Sequence, residues 1–221
     1  MWVQRAGERF RGGDGAGVDT RHAFSFSGFY DPDNVRFGPL VACNEERLAP
    51  GAGFDEHPHR DVEIVTWVVE GELTHEDSTG HRTRVRPGDL QRLTAGRGVR
   101  HAERNTGSVP LRFVQMWLSP SGYGSEPGYE VVRGLPATAS YRLPGADAVL
   151  HTHHAAAGTG TALPAAPRVY LHVVRGTVEV AGERLGPGDA ARLTDPAGVT
   201  ALARDAVEYL VWEMGPEPVL G

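Results

Sequence analysis

The sequence contains no lysine: all 22 of its basic residues are arginine. A phosphate-binding loop of the Gly-x-x-x-x-Gly-Lys type is therefore absent, because that loop needs a lysine to reach the phosphates. The sequence also lacks a dinucleotide-binding glycine fingerprint after a strand and the Gly-x-Ser-x-Gly turn of the α/β-hydrolases. These absences exclude phosphoryl transfer and serine hydrolysis as functions.

Cysteine, long apolar runs and excess positive charge are also scarce. The single Cys43 cannot form an intrachain disulfide, which favours a reducing cytoplasm. No run of about 20 apolar residues and no signal-peptide core is found, so we expect neither a membrane span nor export. The formal net charge of −6, from 28 acidic and 22 basic residues, argues against direct nucleic-acid binding.

Short apolar runs separated by turn residues dominate the rest of the sequence. The 221 residues include 29 glycines and 16 prolines, and helical periodicity is almost absent. The runs Val62–Val69, Leu111–Leu118, Arg168–Val174 and Val207–Trp212 predict β-strands. We therefore predict an all-β protein whose length suits two domains of about 100 residues each. Residues Pro216–Gly221 are expected to form a tail.

An internal repeat with an offset of 100 residues supports two related domains. The string Pro87-Gly88-Asp89 matches Pro187-Gly188-Asp189, and an Arg-Leu-Thr string follows each of them at the same distance. Both strings predict tight turns, because proline presets one backbone dihedral and glycine permits the next. We predict a first domain at residues 1–134 and a second at residues 135–221.

Histidine and glutamate at alternating positions mark a candidate metal site in the first domain. His57 and His59 are two residues apart, as are His101 and Glu103, and strand side chains at this spacing point to the same face. Three imidazoles and one carboxylate suit a divalent first-row metal with open coordination positions. An isolated His-x-His is more often a pair of structural histidines, so the spacing alone leaves that alternative open.

The repeat provides an internal control for this site. At the 100-residue offset His101 becomes Ala201 and Glu103 becomes Ala203, although the nearby turn residues persist. The scaffold therefore does not need these two side chains, which favours metal binding in the first domain over a packing role.

A second cluster of histidines, His151, His153 and His154, lies in the second domain. With alanine at both positions where partner ligands would be needed, we expect no second metal there, and an exposed strand is the alternative interpretation.

Longer ordered strings surround the first cluster, between about residues 20 and 118. They are Phe24-Ser25-Phe26-Ser27, Phe29-Tyr30-Asp31-Pro32, Phe37-Gly38-Pro39-Leu40, Pro50-Gly51-Ala52-Gly53-Phe54, His57-Pro58-His59-Arg60-Asp61-Val62-Glu63-Ile64-Val65-Thr66, Gly71-Glu72-Leu73, His75 with Asp77-Ser78, Pro87-Gly88-Asp89, and Ala95-Gly96-Arg97-Gly98-Val99-Arg100-His101-Ala102-Glu103. In this order they closely resemble the pirins, a branch of the cupin superfamily. The second domain resembles the degenerate second cupin of pirins.

This resemblance implies a bicupin, with two antiparallel β-barrels or jelly rolls packed together and one metal in the first. Carried over residue by residue, the metal ligands are His57, His59, His101 and Glu103. The metal is expected to be Fe(II), with Mn, Co, Ni, Cu or Zn as alternatives. The wider cupin pattern instead takes its acid shortly after the His-x-His, which makes Glu63 the rival carboxylate here.

The resemblance also implies a function, quercetin 2,3-dioxygenase activity, which opens the central ring of quercetin-type flavonols and releases carbon monoxide. Glu103 would ligate the metal or act as the catalytic base for the 3-hydroxyl of a flavonol-like aromatic substrate. Pirins are also associated with regulation. The alternative is therefore a redox-sensing protein that binds a metabolic enzyme or transcription factor. Arg97, Arg100 and Arg104 are then either its contact surface or ordinary solubilising charges. Without an oligomer signal in the sequence, we expect a monomer.

Overall fold

The computed structural model describes residues 1–217, which form strands, loops and one short 3-10 turn at Ala6–Glu8. No α-helix occurs in this part of the chain, and the strands are numbered in chain order from β1 (Trp2–Gln4). The chain divides into two compact units. The N-terminal unit comprises Phe10–Arg36 and Leu40–Leu135, and the C-terminal unit comprises Met1–Arg9, Phe37–Pro39 and the chain from Pro136 onward.

The N-terminal unit consists of two antiparallel sheets. Its strands are β2 (Phe10–Gly13), β3 (Val18–His22), β4 (Leu40–Leu48), β5 (Gly53–His59), β6 (Glu63–Glu70), β7 (Leu73–Asp77), β8 (Arg82–Val85), β9 (Leu90–Thr94), β10 (Val99–Arg104), β11 (Leu111–Leu118) and β12 (Gly128–Val132). The larger sheet has the order β12-β9-β6-β11-β4-β3-β2, and the smaller has β5-β10-β7-β8. Buried side chains of both sheets, such as Phe113 and Leu73, share one apolar core.

The C-terminal unit has the same two-sheet plan. Besides β1 its strands are β13 (Thr138–Arg142), β14 (Ala148–Ala155), β15 (Gly160–Ala162), β16 (Arg168–Arg175), β17 (Val178–Val180), β18 (Glu183–Leu185), β19 (Ala190–Thr194), β20 (Thr200–Ala203) and β21 (Val207–Met214). The larger sheet has the order β1-β19-β16-β21-β14-β13, and the smaller has β15-β20-β17-β18. Its core includes Leu171, Val178 and Tyr209.

The four strands predicted from apolar runs are present as β6, β11, β16 and β21, with ends shifted by two residues at most. These strands read as continuous apolar runs because both of their faces are largely buried, as in β6, where every residue before Glu70 is buried. The all-β prediction is confirmed.

The two units share the turn that the sequence repeat predicts. Gly88 and Gly188 have φ angles of 86° and 83°, a left-handed conformation that favours glycine. The carboxylates of Asp89 and Asp189 each accept the backbone N–H of the residue three positions earlier, at 3.1 and 3.0 Å. Each turn leads into a five-residue strand, β9 or β19. The repeated string is therefore a repeated structure.

The N-terminal strand β1 completes the C-terminal unit as β12 completes the N-terminal unit. β1 pairs with β19 and β12 pairs with β9, each at one edge of a larger sheet. After each strand an arginine binds the turn aspartate: Arg5 lies 3.1 Å from Asp189, and Arg133 lies 2.6 Å from Asp89. The residue after each arginine donates its N–H to the same carboxylate, at 2.8 and 3.0 Å. Residues 1–9 group with the C-terminal unit because their partners lie there.

The chain from Met1 to Glu217 contains no helix long and apolar enough to cross a membrane. The predicted tail at Pro216–Gly221 falls largely outside the described residues. Glu217, which is described, forms an ion pair with Arg168 at 2.7 Å.

Candidate metal centre

The three predicted histidine ligands lie on neighbouring strands of the smaller N-terminal sheet. His57 and His59 are on β5, and His101 on β10 is directly opposite His57 in the antiparallel register. Burial alternates along β10: Val99, His101 and Glu103 are buried, whereas the two arginines of the strand are exposed. The two-residue period of the strand therefore carries His101 and Glu103 to the interior.

The three imidazoles converge on one point. Their ligand nitrogens lie within 4.8 Å of one another, and the Nε2 atoms of His57 and His101 are 3.1 Å apart. The Nδ1–H of His57 donates to the backbone carbonyl of Asp55 at 2.7 Å. The lone pair of the neutral His57 ring is therefore on Nε2. The Nε2 of His59 is buried and has no hydrogen-bond partner among residues 1–217. An orphaned buried nitrogen beside two more imidazoles fits a divalent metal ion.

The surroundings favour the neutral form of two of these imidazoles, those of His59 and His101. Burial, together with the neighbouring His101 and His57, lowers the pKa of His59 to about 3. Burial also lowers the pKa of His101, although Glu103 opposes that change. A neutral imidazole presents the lone pair that a metal requires, so the cluster is prepared to bind a metal near neutral pH.

Glu103 is fully buried and held by two side-chain amides. Its carboxylate oxygens accept hydrogen bonds from Gln91 at 2.8 Å and Gln115 at 2.7 Å. Tyr129 donates its hydroxyl to the Gln91 carbonyl, and the Trp117 indole donates to the Gln115 carbonyl, both at 3.0 Å. These donors orient both amides so that their N–H groups face the carboxylate.

Glu103 also belongs to a second compact group, with His75 and His101, in which all three residues are buried. Burial by itself raises the pKa of Glu103, but His101, His75 and the two amide hydrogen bonds outweigh it and lower the pKa. His101 is thus common to both groups. His57 and His59 cluster with it in one group, and Glu103 clusters with it in the other.

Glu63, the rival carboxylate, is in neither group found within residues 1–217. Its carboxylate accepts a hydrogen bond from the Thr94 hydroxyl at 2.8 Å and lies 3.9 Å from Arg92. Burial raises the pKa of Glu63. Its contacts join β6 to the neighbouring strand β9.

A cavity of about 270 Å³ opens beside the cluster. Its lining residues are Phe26, Ser27, Asn44, Glu46, Phe54, His57, Glu103, Gln115 and Trp117. A groove of about 670 Å³ shares five of these residues, including His57 and Phe54. Aromatic walls with a few convergent polar groups are typical of small-molecule sites. His57 and Glu103 therefore face one space that a ligand can enter.

Sequence analysis missed a second carboxyl group in this cavity, that of Glu46. The Thr20 hydroxyl donates to it at 2.5 Å. Burial, with smaller contributions from Glu103 and Asp19, raises the pKa of Glu46 to about 8. The amides that hold Glu103 were missed as well. A sequence signal exists for Gln115, a polar residue within the mostly apolar strand β11. Glu46 and Gln91 lie in strands that carry other polar residues, so the sequence does not single them out.

The C-terminal unit has the corresponding strands with different side chains. Ala201 on β20 pairs with Thr161 on β15, as His101 on β10 pairs with His57 on β5. Both candidate metal groups within residues 1–217 lie in the N-terminal unit.

The second histidine cluster has ordinary strand contacts. His151 lies 2.8 Å from the Ser140 hydroxyl and 2.9 Å from Glu213. The ring of His153 stacks on Tyr209, with ring centroids 4.8 Å apart.

The arginines predicted as a contact surface are each paired with an acidic residue. The pairs are Arg97 with Glu126, Arg100 with Glu56, and Arg104 with Asp55. The positive charge near β10 is therefore balanced locally, and these contacts give no support for a basic docking patch.

The fold and the site together define a class, a two-domain cupin with a candidate metal centre in one domain. The sequence pattern of the family described as Pirin matches residues 4–118, and that of the Quercetinase C-terminal cupin domain matches residues 145–214. The chain belongs to the pirin family. The predicted family and the bicupin fold are confirmed.

Known relatives resemble the chain over almost its whole length. A protein of Mycobacterium tuberculosis is 41% identical, over 89% of this chain and 88% of the relative. It is named for quercetin 2,3-dioxygenase activity, and the name marks that activity as provisional. The quercetin 2,3-dioxygenase of Escherichia coli is 32% identical, with coverage of 98% and 99%. The solved structure of the bacterial pirin YhhW from Escherichia coli, in complex with nickel(II), matches with a TM-score of 0.91 at 29% identity, with coverage of 97% and 99%.

Proposed function

We propose that the protein is a metal-dependent dioxygenase that opens the central ring of quercetin-type flavonols. The observation that carries this proposal is the convergence of His57, His59 and His101, including the orphaned Nε2 of His59, beside a cavity with aromatic walls. The name of the Escherichia coli relative supports the substrate class.

In this proposal His57, His59 and His101 hold the metal and Glu103 is the fourth ligand. We propose Fe(II), and the nickel(II) complex of the Escherichia coli pirin supports a divalent first-row metal and keeps nickel as an alternative. When bound, the metal supplies Lewis-acid activation of the flavonol oxygens and electron exchange with dioxygen.

Glu103 is the proposed proton acceptor for the 3-hydroxyl of the flavonol. Its lowered pKa keeps it ionised near neutral pH, and the amides of Gln91 and Gln115 hold both of its oxygens in place. An ionised, oriented carboxylate at the cavity wall can take a proton from a bound hydroxyl group.

The aromatic walls are proposed to bind the flavonol rings. Phe26 and Trp117 meet edge to face with centroids 4.9 Å apart, and Trp117 packs in the same way on His59 at 4.8 Å. A flat substrate against these rings would exclude water from the reacting atoms. In the reaction both atoms of dioxygen enter the substrate, carbon monoxide leaves, and the flavonol itself supplies the electrons.

Oxygen uptake is the direct test. Protein loaded anaerobically with Fe(II) is mixed with quercetin and oxygen, and oxygen consumption and carbon monoxide release are recorded. We expect both in the wild type and neither in metal-free protein or in His101→Ala. His151→Ala, in the C-terminal unit, is the control and should react as the wild type does. Wild-type protein that binds one iron but consumes no oxygen would refute the flavonol activity.

The same assay tests the role of Glu103. Glu103→Gln keeps the three imidazoles, so it should retain iron, whereas turnover should fall about 10²–10⁴-fold because no carboxylate accepts the proton. Glu63→Gln changes a buried carboxyl outside both groups and should leave turnover unchanged. Full activity in Glu103→Gln would remove the proposed base.

Redox-dependent binding of a protein partner, a monomeric state and a cytoplasmic location stay predictions. The local pairing of Arg97, Arg100 and Arg104 with acids gives no reason to prefer the regulatory alternative.

A further inference from the structure

His75 lies between His101 and a buried carboxylate, that of Asp77. It contacts Nδ1 of His101, the ring nitrogen that does not face His57. The Nδ1 atoms of His101 and His75 are 3.5 Å apart, and His75 Nε2 lies 3.1 Å from Asp77 Oδ2. The side chains of His75 and Asp77 are both 0% exposed. His101, His75 and Asp77 therefore form a continuous polar chain inside the N-terminal unit.

Asp77 determines where the protons of this chain lie. Its carboxylate accepts hydrogen bonds from the Thr79 hydroxyl at 2.6 Å and from the backbone N–H groups of Thr79 and His81 at 2.9 and 3.2 Å. Carboxylate oxygens accept, so His75 donates from Nε2 to Asp77, and its Nδ1 is the acceptor that faces His101. His101 must then donate from Nδ1. Its lone pair is left on Nε2, the atom 3.1 Å from His57 Nε2.

We propose that His75 and Asp77 are positioning residues that fix the tautomer and ring orientation in which His101 binds the metal. The inference rests on the proposed metal-dependent function. Partners that hold the far nitrogen of a ligand histidine typically change metal affinity about 10–100-fold. His75 is such a partner at Nδ1 of His101, and the backbone carbonyl of Asp55 is the partner at Nδ1 of His57.

The C-terminal unit supports this role independently, because strands β17 and β20 pair as β7 and β10 do. The corresponding pairs are Ala201–Val180 for His101–Asp77, and Ala203–Val178 for Glu103–His75. Val178 and Val180 are fully buried in an apolar core. The sheet therefore forms without a histidine and an aspartate at these positions. His75 and Asp77 are present in the N-terminal unit, which has the candidate ligands. In the C-terminal unit valines stand at their positions, and alanines stand at the positions of His101 and Glu103.

The ring of His75 is itself held in place. It stacks on Tyr129 with centroids 4.3 Å apart and an angle of 12° between the planes. Stacking fixes the plane of the imidazole, and Asp77 fixes its rotation within that plane. His75 is thus a rigid acceptor rather than a mobile one.

Cobalt(II) titration of the full-length, metal-free protein tests the proposal, with affinity, stoichiometry and the visible absorption spectrum of the bound ion as readouts. His75→Phe keeps the ring stacking but has no acceptor, and it should weaken binding about 10–100-fold. His75→Asn restores an acceptor close to the Nδ1 position and should recover part of the affinity. His153→Phe is the matched control, because His153 also stacks on a tyrosine, and should bind as the wild type does.

Each outcome separates this inference from the proposed function. Wild-type protein that binds no cobalt would refute the metal site and the inference with it. One tightly bound cobalt in both the wild type and His75→Phe would refute only the positioning role. Two cobalt ions in the wild type and one in His75→Phe would make His75 a ligand and would also overturn the proposal. If His75→Phe does not fold, Asp77→Ala, which removes the acceptor for His75 Nε2, takes its place, and unchanged affinity there has the same meaning.

Discussion

At the scale of single residues, two carboxyl groups at one cavity are held in opposite protonation states. Glu103 accepts two amide hydrogen bonds and its pKa is lowered, whereas burial raises the pKa of Glu46 to about 8. Near neutral pH the cavity therefore presents one carboxylate and one neutral carboxylic acid. Separation of this kind divides proton acceptance and hydrogen-bond donation between two chemically identical side chains.

Glu46→Gln tests the raised pKa through stability. The folded protein keeps the Glu46 proton up to about pH 8, whereas an unfolded glutamate loses it near 4.5. The folded state thus binds more protons, and the contribution of Glu46 to stability falls as pH rises from about 4.5 to 8, by at most about 1.4 kcal/mol per pH unit. The amide of the variant cannot titrate, so in urea unfolding the free energy of unfolding of the wild type should fall relative to that of the variant as pH rises from 5 to 8. Parallel curves for wild type and variant would contradict the raised pKa.

Residue spacing predicted that His57 and His59 share one face of a strand, whereas joining them with His101 also needed the repeat and the family resemblance, and none of these predicted the surrounding amides. Alternation along one strand brings His57 next to His59, and this pattern is local in the sequence. The contact of Gln91 and Gln115 with Glu103 depends instead on the register of three different strands. Register follows from turn geometry and packing across the sheet, which spacing in a single sequence does not reveal.

At the scale of elements, each unit is closed by a short edge strand that a turn aspartate anchors. β12 follows closely in the chain, but β1 comes from the far end of the sequence to reach β19. The repeat predicted both turns, because Pro-Gly-Asp is a local signal. The partner of β1 has no such signal, since three residues carry too little pattern to specify a pairing. The domains predicted at 1–134 and 135–221 are continuous in sequence. They place β1 in the first domain, whereas its contacts group it with the C-terminal unit.

Asp189→Ala and Asp89→Ala form a matched pair of tests for this anchoring. Asp189→Ala removes the acceptor for the N–H of Ala6 and for Arg5, so hydrogen exchange of the β1 amides should accelerate while β12 is unaffected. Asp89→Ala should have the reverse effect on β12. Acceleration of both strands in both variants would indicate general destabilisation and contradict specific anchoring.

At the scale of the whole molecule, one scaffold is used twice with different interiors. The polar residues Thr66, Gln91 and Gln115 correspond through the sheet registers to Leu171, Ala191 and Val211. All three of the latter belong to the apolar core of the C-terminal unit. The N-terminal unit keeps an interior of hydrogen-bonded polar groups around the candidate metal centre, whereas the C-terminal unit fills the same positions with apolar side chains.

This division predicts where metal binding stabilises the protein. A ligand that binds only the folded state stabilises it by about 2.7 kcal/mol at 100 times its Kd. Cobalt(II) should therefore slow hydrogen exchange in β5, β7 and β10, and leave β15, β17 and β20 unchanged. His101→Ala should abolish the protection. Equal protection of β10 and β20 would contradict a single metal site in the N-terminal unit.

The pairing of β1 with β19 also affects the order in which the strands can fold during synthesis. Arg5 and Asp189 are 184 residues apart, and at about 5–20 residues per second their synthesis is separated by roughly 10–40 s. All strands of the N-terminal unit have been synthesised by Val132, long before β19 exists. The unit with the candidate ligands can therefore fold before β1 has its partner, so β1, which precedes the other described strands in the sequence, is among the last of them to be fixed.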